Sequence, residues 1–386
     1  MAKNIYKEIK ISLEHMQDRL FNEILIDLCI APNYFLGSSE ETPEYVIFNL
    51  TADCSNSSNQ ILNKEVETFT EQLNKRIKLD QDNKKYWKIF YLIKEIFQEF
   101  VSNGDDRKFN YFRGQACDWK LIPGIFREDT SENFIENFET IYKNVAYEYP
   151  SEIEYVEYEK NNIAKRSKQL SILQHYGLRT SLVDVTKNPY IAMLFMVSDS
   201  CKNDFNQGTI DLFRINEEVH CDKNIFMPVA KSDHNKRLTA QKGAFFNYDI
   251  LFDLKNTDVK PIDRIILKIN YSCDLIEKKI NEQISKSNNE LSNIKTNNSN
   301  SEFNETLKLI DELINEQLID KYQKLLDNVE NLKSDIYKNI REEIKIKLEE
   351  YYYFENALFP DLDRYIGYLQ SNYIDNDVKK KLNVDG

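Results

Sequence analysis

Apolar residues recur every three or four positions over residues 4–30 (Ile9, Leu13, Met16, Leu20, Ile24 and Leu28). This is the spacing of one helix face, and it predicts a helix through that stretch. Residues 44–49 (EYVIFN) read as a short strand, and 61–79 as a second helix. Residues 86–101 (YWKIFYLIKEIFQEFV) form a strongly apolar helix, with Ser102, Asn103 and Gly104 as its stop signal. Further strands are expected at 108–113, 181–185, 208–215, 243–246 and 264–269, and helices at 132–147 and 152–173. Another helix opens at Asn188-Pro189, where proline suits the first turn.

The texture changes near residue 272. Residues 275–294 are helical in pattern, and Leu318, Tyr322, Leu325, Val329, Leu332 and Ile336 form a heptad seam. Between them the polar run 296–304 (TNNSNSEFN) cannot continue a helix well, so two helices are expected to fold back on each other. The organisation expected is a mainly helical region at 1–104, a core at 105–271, an inserted helical hairpin at 272–346, and a return to the core with a tail at 347–386.

Composition narrows the classes. The 386 residues are 41% hydrophobic, 30% charged and 12% aromatic, which is globular rather than disordered. A formal charge of −13 argues against a chain coated for nucleic acid. Six dispersed cysteines without a CxxC pair read as reduced thiols, and neither zinc spacing nor an apolar leader or span occurs. The expected location is cytoplasmic, away from membranes. Neither a Gly-x-Ser-x-Gly elbow nor a phosphate-binding Gly-rich Lys-Ser/Thr loop is found.

The chemistry begins at Arg113, between Phe112 and Gly114, where a guanidinium could meet a phosphate. Taken alone, an Arg-Gly is more often a surface ion pair. Here it continues through Gln115, Trp119, Leu121, Pro123 and Phe126-Arg127 to Gln174-His175-Tyr176-Gly177-Leu178. Thr180, Leu182, Asp184, Thr186, Asn188-Pro189, Ala192 and Phe195 follow, then Ala240-Gln241-Lys242-Gly243 with Phe245, and finally Leu358 to Asp363 (LFPDLD). In this ordered set the chain resembles the FRG-domain family, named for the triplet at Phe112-Arg113-Gly114. Arg179 and Val185 stand where the family often has Pro and Trp.

A second, weaker resemblance is to the Arg–Ser/Thr–Glu plan of ADP-ribosyltransferases. It implies an α+β core of mixed and antiparallel strands with NAD as substrate and no metal. Arg113 would hold the phosphates, Thr186 would be the hydroxyl residue, and Gln241 would stand nearest the place of the Glu. An amide cannot supply the negative charge that stabilises the ribosyl cation. Asp184, or Asp361 and Asp363, could supply it, although Asp184 could equally anchor a turn and Asp361 cap a helix. Gly114, Gln115, His175 and Thr180 complete the expected binding set.

The resemblance implies an effector of the toxin–antitoxin or phage-defence kind that modifies a macromolecule, protein or nucleic acid. The other open reading is a non-catalytic module that holds a nucleotide or a partner protein, such as an antitoxin, with the hairpin as docking arm. The run 349–354 (EEYYYF) could stack bases, although packing is the plainer role.

Overall fold

The computed structural model describes residues 5–32, 45–83, 85–102, 108–198, 206–218, 220, 225–228, 243–253, 261–296 and 302–355. It is a mixed α+β protein built on one eight-stranded sheet. The strands are β1 (Phe21–Pro32), β2 (Tyr45–Asp53), β3 (Tyr111–Gln115), β4 (Leu182–Thr186), β5 (Thr209–Arg214), β6 (Phe226–Pro228), β7 (Gly243–Asn247) and β8 (Ile262–Tyr271). Their spatial order is β2-β1-β8-β5-β3-β4-β7-β6. Only β1 and β8 pair in parallel; every other neighbouring pair is antiparallel.

The helices are α1 (Ile5–Leu20), α2 (Gln60–Asp82), α3 (Ile89–Phe100), α4 (Glu132–Glu148), α5 (Ile163–His175), α6 (Pro189–Met196), α7 (Cys273–Thr296) and α8 (Glu302–Glu350). Two apolar cores flank the sheet. One joins Ile24, Ile26, Leu28, Phe112, Leu212 and Ile265 to residues of α2, α3, α6 and the C-terminal half of α8. The other joins Tyr111, Val183, Val185, Phe213 and Phe246 to α1, α4 and α5.

The helix expected over 4–30 ends at Leu20, and the chain turns at once into β1. Ile24 and Leu28 satisfy both a helical spacing and the two-residue alternation of a strand. In the fold Ile24, Ile26, Leu28 and Ile30 are all buried, which is the strand period. Tertiary pairing with β8 decides it: the register runs unbroken from Phe21↔Ile262 to Ile30↔Tyr271.

The helix expected over 152–173 begins only at Ile163. The preceding segment is extended because side chains occupy its backbone groups. Tyr142 Oη donates to Glu154 O (2.7 Å) and accepts from Val156 N (3.3 Å), and Arg166 donates to Val156 O (2.6 Å). Capping was legible elsewhere. Asn188 Oδ1 accepts from Tyr190 N and Ile191 N at the start of α6, with Pro189 in the first turn. Ser131 does the same for α4.

Helices α7 and α8 pack against each other, and α8 runs on to Glu350. Of the seam residues, Val329 and Ile336 are buried, joined by Tyr337, Ile340, Ile344 and Leu348. Tyr271 Oη donates to Val329 O (2.7 Å) and Tyr337 Oη accepts from Tyr271 N (3.0 Å), so this half of α8 is docked on the end of β8. The expected strand at 108–113 is β3, shifted so that Arg113 lies at its centre rather than its end.

A buried ion cluster ties α1, α4 and α5 together. Arg166, 1% exposed, donates through Nε to Asp249 Oδ2 (2.9 Å) and through its terminal nitrogens to Tyr6 Oη (2.7 Å) and Glu139. Burial works against the Arg166 cation, but Tyr6, Asp249 and Glu139 together hold its pKa above the ordinary arginine value. Among the described residues no helix is long and apolar enough to cross a membrane, and no group of three or more His, Cys, Asp or Glu is placed to hold a metal.

Candidate functional site

Successive residues of β3 serve opposite faces. Phe112 is buried against Phe97, and Gly114 lies against the backbone of α6. A Cβ added at Gly114 would sit 1.7 Å from Ala192 O and 2.6 Å from Ala192 C. The glycine of the triplet is therefore a packing requirement: only hydrogen fits between strand and helix.

Arg113 points to the other face and is half-buried. Its Nε donates to Gln115 Oε1 (3.1 Å) and Nη1 to Asp184 O (2.7 Å). Gln115, buried, donates in turn to Trp119 O (2.9 Å), so the guanidinium is aimed by a side chain that is itself held. Burial lowers the Arg113 pKa, and the nearby Arg127 cation adds to that, while Asp184 and Asp211 oppose it. An arginine so placed remains charged. Asp211, across the ladder from Arg113, is taken by Arg264 (2.8 Å), which also pairs with Glu23.

Arg113 forms the floor of a cleft of about 190 Å³ walled by Arg127, Gln174, Arg179, Thr180 and Asp184, with Gly124, Gly177 and the apolar Ile122, Leu178, Leu182 and Val183. The loop carrying Arg127 is fixed by three bonds: Ile125 N donates to Thr180 O, Thr130 Oγ1 to Gly124 O, and Tyr248 Oη to Leu121 O. Arg179 makes a two-pronged pair with Asp129 (2.6 Å for each prong), which raises the Arg179 pKa and lowers that of Asp129. Neither Arg113 nor Arg127 has an ion-pair partner among the described residues.

On the opposite wall Thr180 Oγ1 donates to Gln174 Oε1 and accepts from Leu182 N, and Gln174 Nε2 donates to Asp184 Oδ2 (2.6 Å). Gly177, at φ +92°, lets the chain reverse after α5, donating to Gln174 O as it does so.

The structure thus brings Arg113, Gln115, Thr180 and Asp184 to one place. Gly114 lies behind it, against α6. His175 ends α5 edge-to-face with Tyr176 and is not among the cleft's walls. Thr186 is buried opposite Phe112, and its Oγ1 accepts from Asn188 N (3.1 Å), a turn-forming role before α6. Gln241, Asp361 and Asp363 lie outside the described residues.

Sequence reasoning gave no role to Arg127 or Gln174, although both stood in the quoted pattern. The signal available was the second Phe-Arg pair at Phe126-Arg127, which repeats the chemistry of Phe112-Arg113. Arg179, which stands where the family often has Pro, is a cleft wall.

The fold and cleft define a mixed α+β protein with arginines gathered beneath one strand of its sheet. Residues 108–205 match the family model described as the FRG domain, so the chain carries an FRG domain over that segment. That match encloses every residue of the cleft and stops short of Ala240–Gly243 and Leu358–Asp363. No curated protein and no solved structure matches the chain.

Proposed function

We propose that the Arg113 cleft binds the phosphate groups of a nucleotide, with NAD as the substrate and ADP-ribosyl transfer as the reaction. The observation that carries this reading is the convergence of Arg113 and Arg127 on one cleft, neither of them in an ion pair among the described residues. Two neighbouring guanidiniums repel each other, and an arrangement that keeps them together is suited to a multiply charged anion. The cleft is smaller than a typical ligand pocket of about 300–1,000 Å³. It suits a pyrophosphate, with ribose and base lying outside.

Asp184 is the one carboxylate on the described walls. Facing the ribose, it would stabilise the positive charge that develops as the C1′–N bond breaks. Nicotinamide leaves with that bond's electron pair, the acceptor nucleophile bonds to C1′, and the acceptor's proton passes to water. Gln174 would orient the carboxylate through its present hydrogen bond.

One observation favours the binding-module reading instead: the Thr186 hydroxyl is committed to the turn at Asn188. The same purified protein separates the two readings when it is given labelled NAD and a bacterial lysate. Arg127→Ala changes an exposed residue outside the core, and Arg113→Lys keeps the charge but loses the planar fork. Transfer of label or release of nicotinamide by the parent protein, with losses of about tenfold or more in both variants, supports the enzyme. Arginine-dependent binding without turnover supports the module. If no nucleotide binds in an arginine-dependent way, the phosphate reading fails.

A further inference from the structure

A second cleft, of about 490 Å³, lies on the α3 side of the molecule, lined by Tyr86, Trp87, Tyr91, Lys85, Lys88 and Lys94. Its carboxylates are already engaged. Asp80 Oδ2 accepts from Trp87 Nε1 (2.6 Å), and Glu95 pairs with Arg76, which also lies over the Trp87 ring at 5.1 Å. The ammoniums are less committed. Lys88 is 3.8 Å from Glu343, Lys94 donates to the Tyr351 hydroxyl (3.1 Å), and Lys85 is exposed without a carboxylate partner among the described residues.

Beside this cleft is a braced aromatic surface. Tyr91 and Tyr351 are 42% and 43% exposed. Tyr351 is held by stacking on Tyr190 (centroids 6.5 Å, planes 13° apart), and Tyr190 stacks on Tyr353 (5.4 Å, 28°). Asn188, the cap of α6, donates to Tyr353 Oη (3.2 Å) and fixes the end of the stack. Tyr351 is left open yet immobilised from behind. With Tyr91 it stands beside the ammoniums of Lys85 and Lys94, which have no carboxylate partner among the described residues; packing explains this poorly. These groups have the composition of a surface on which a base stacks while its phosphate is neutralised. The volume suits one nucleotide. Tyr86 also keeps a shielded hydroxyl with no hydrogen-bond partner on the same wall.

We infer that this aromatic–lysine cleft is a second nucleotide-binding site, separate from the Arg113 cleft, which takes one base on Trp87 and Tyr91 and its phosphate on Lys85 and Lys94. The shared chemistry is a phosphorylated base, supplied either by a free nucleotide or by a single strand of nucleic acid. The site does not depend on the ADP-ribosyl reading.

Trp119→Phe leaves Trp87 as the sole tryptophan, so fluorescence reports on the cleft directly. The full chain carrying that change is titrated with AMP, ATP, a short oligodeoxythymidine and inorganic phosphate. Saturable quenching by AMP or ATP assigns the site to free nucleotides. Quenching by the oligonucleotide alone assigns it to a strand. In either case Tyr91→Ala weakens binding at least about fivefold. The paired reversal Lys85→Glu/Lys94→Glu weakens it further and reduces its salt dependence. Arg127→Ala, in the other cleft, leaves the quenching curve unchanged. The inference is overturned if neither nucleotide nor oligonucleotide quenches Trp87, or if the Tyr91 and lysine variants bind as the parent does.

Discussion

Replacing Gly114 by alanine tests whether the glycine of the triplet is there for packing. Its backbone lies outside the left-handed region, so alanine meets no conformational bar, and the loss of chain freedom in the unfolded state favours it by about 0.4–1 kcal/mol. Against this, the new Cβ would lie 1.7 Å from Ala192 O and 3.1 Å from Met196 N, whereas ordinary contacts begin near 3.4 Å. Both atoms are backbone, so neither can swing aside, and α6 must withdraw by about 1.7 Å at that point. Ile191, Ala192, Met193, Leu194 and Met196 are buried in the same core and would lose their fit with it. Overpacking commonly costs 1–3 kcal/mol, and contact with rigid backbone belongs at or above the top of that range, so a net loss of about 3 kcal/mol is expected. Gly124→Ala is the internal control, because its nearest neighbour is a side-chain carbon at 3.5 Å. Urea unfolding followed by circular dichroism should show a clearly lower midpoint for Gly114→Ala and little change for Gly124→Ala. A Gly114→Ala protein within about 0.5 kcal/mol of the parent would refute the argument.

Arg166→Met should cost about 3–5 kcal/mol, because Asp249, fully buried, loses its cation; chemical denaturation measures this, and Asp249→Leu in the same chain should recover part of the loss. Burial pushes the Cys29 thiol up to about 11, so site-resolved mass spectrometry should find it unlabelled by iodoacetamide at pH 8 until the protein is unfolded. Hydrogen bonds from Tyr111 and Lys187 hold the Glu217 carboxyl below its ordinary value. Its contribution is thus present above the unfolded pKa of about 4.3 and lost as pH falls through the folded one. Glu217→Gln should flatten the decline of thermal stability below about pH 5, and an unchanged slope would remove Glu217 from the account.

Local signals were legible wherever neighbouring residues determine the structure. Asn188-Pro189 announced α6, and the apolar runs of α2 and α3 announced two helices, which the fold places in one core. The strand β1 was not legible, because Ile24 and Leu28 fit both periods and the strand's pairing partner lies far along the chain. Arg113 was found through its motif, whereas Arg127 acquires meaning only when the loop at Gly124 is tied to Thr180. Arg166 reads in sequence as a solvated helix charge. Its partners Tyr6, Glu139 and Asp249 come from three distant segments, and nothing local predicts that they meet around it. Thr186 was identified by its position before a helix, and the fold shows that this position has its own demand for a hydroxyl.

The parallel pairing of β1 with β8 also bears on how the chain is made. Asn22 and Asp263, hydrogen-bonded across that ladder, are 241 residues apart. At roughly 5–20 residues per second, β1 leaves the ribosome about 10–50 s before its partner strand exists. During that interval it has β2 on one side and an open, strongly apolar edge on the other, a state open to pairing with other nascent chains. Among the described residues β8 is the last strand to emerge, and it inserts between β1 and β5, so the sheet is completed from its middle. Synthesis of a shortened chain that stops before residue 262 should therefore yield aggregates rather than a smaller folded unit.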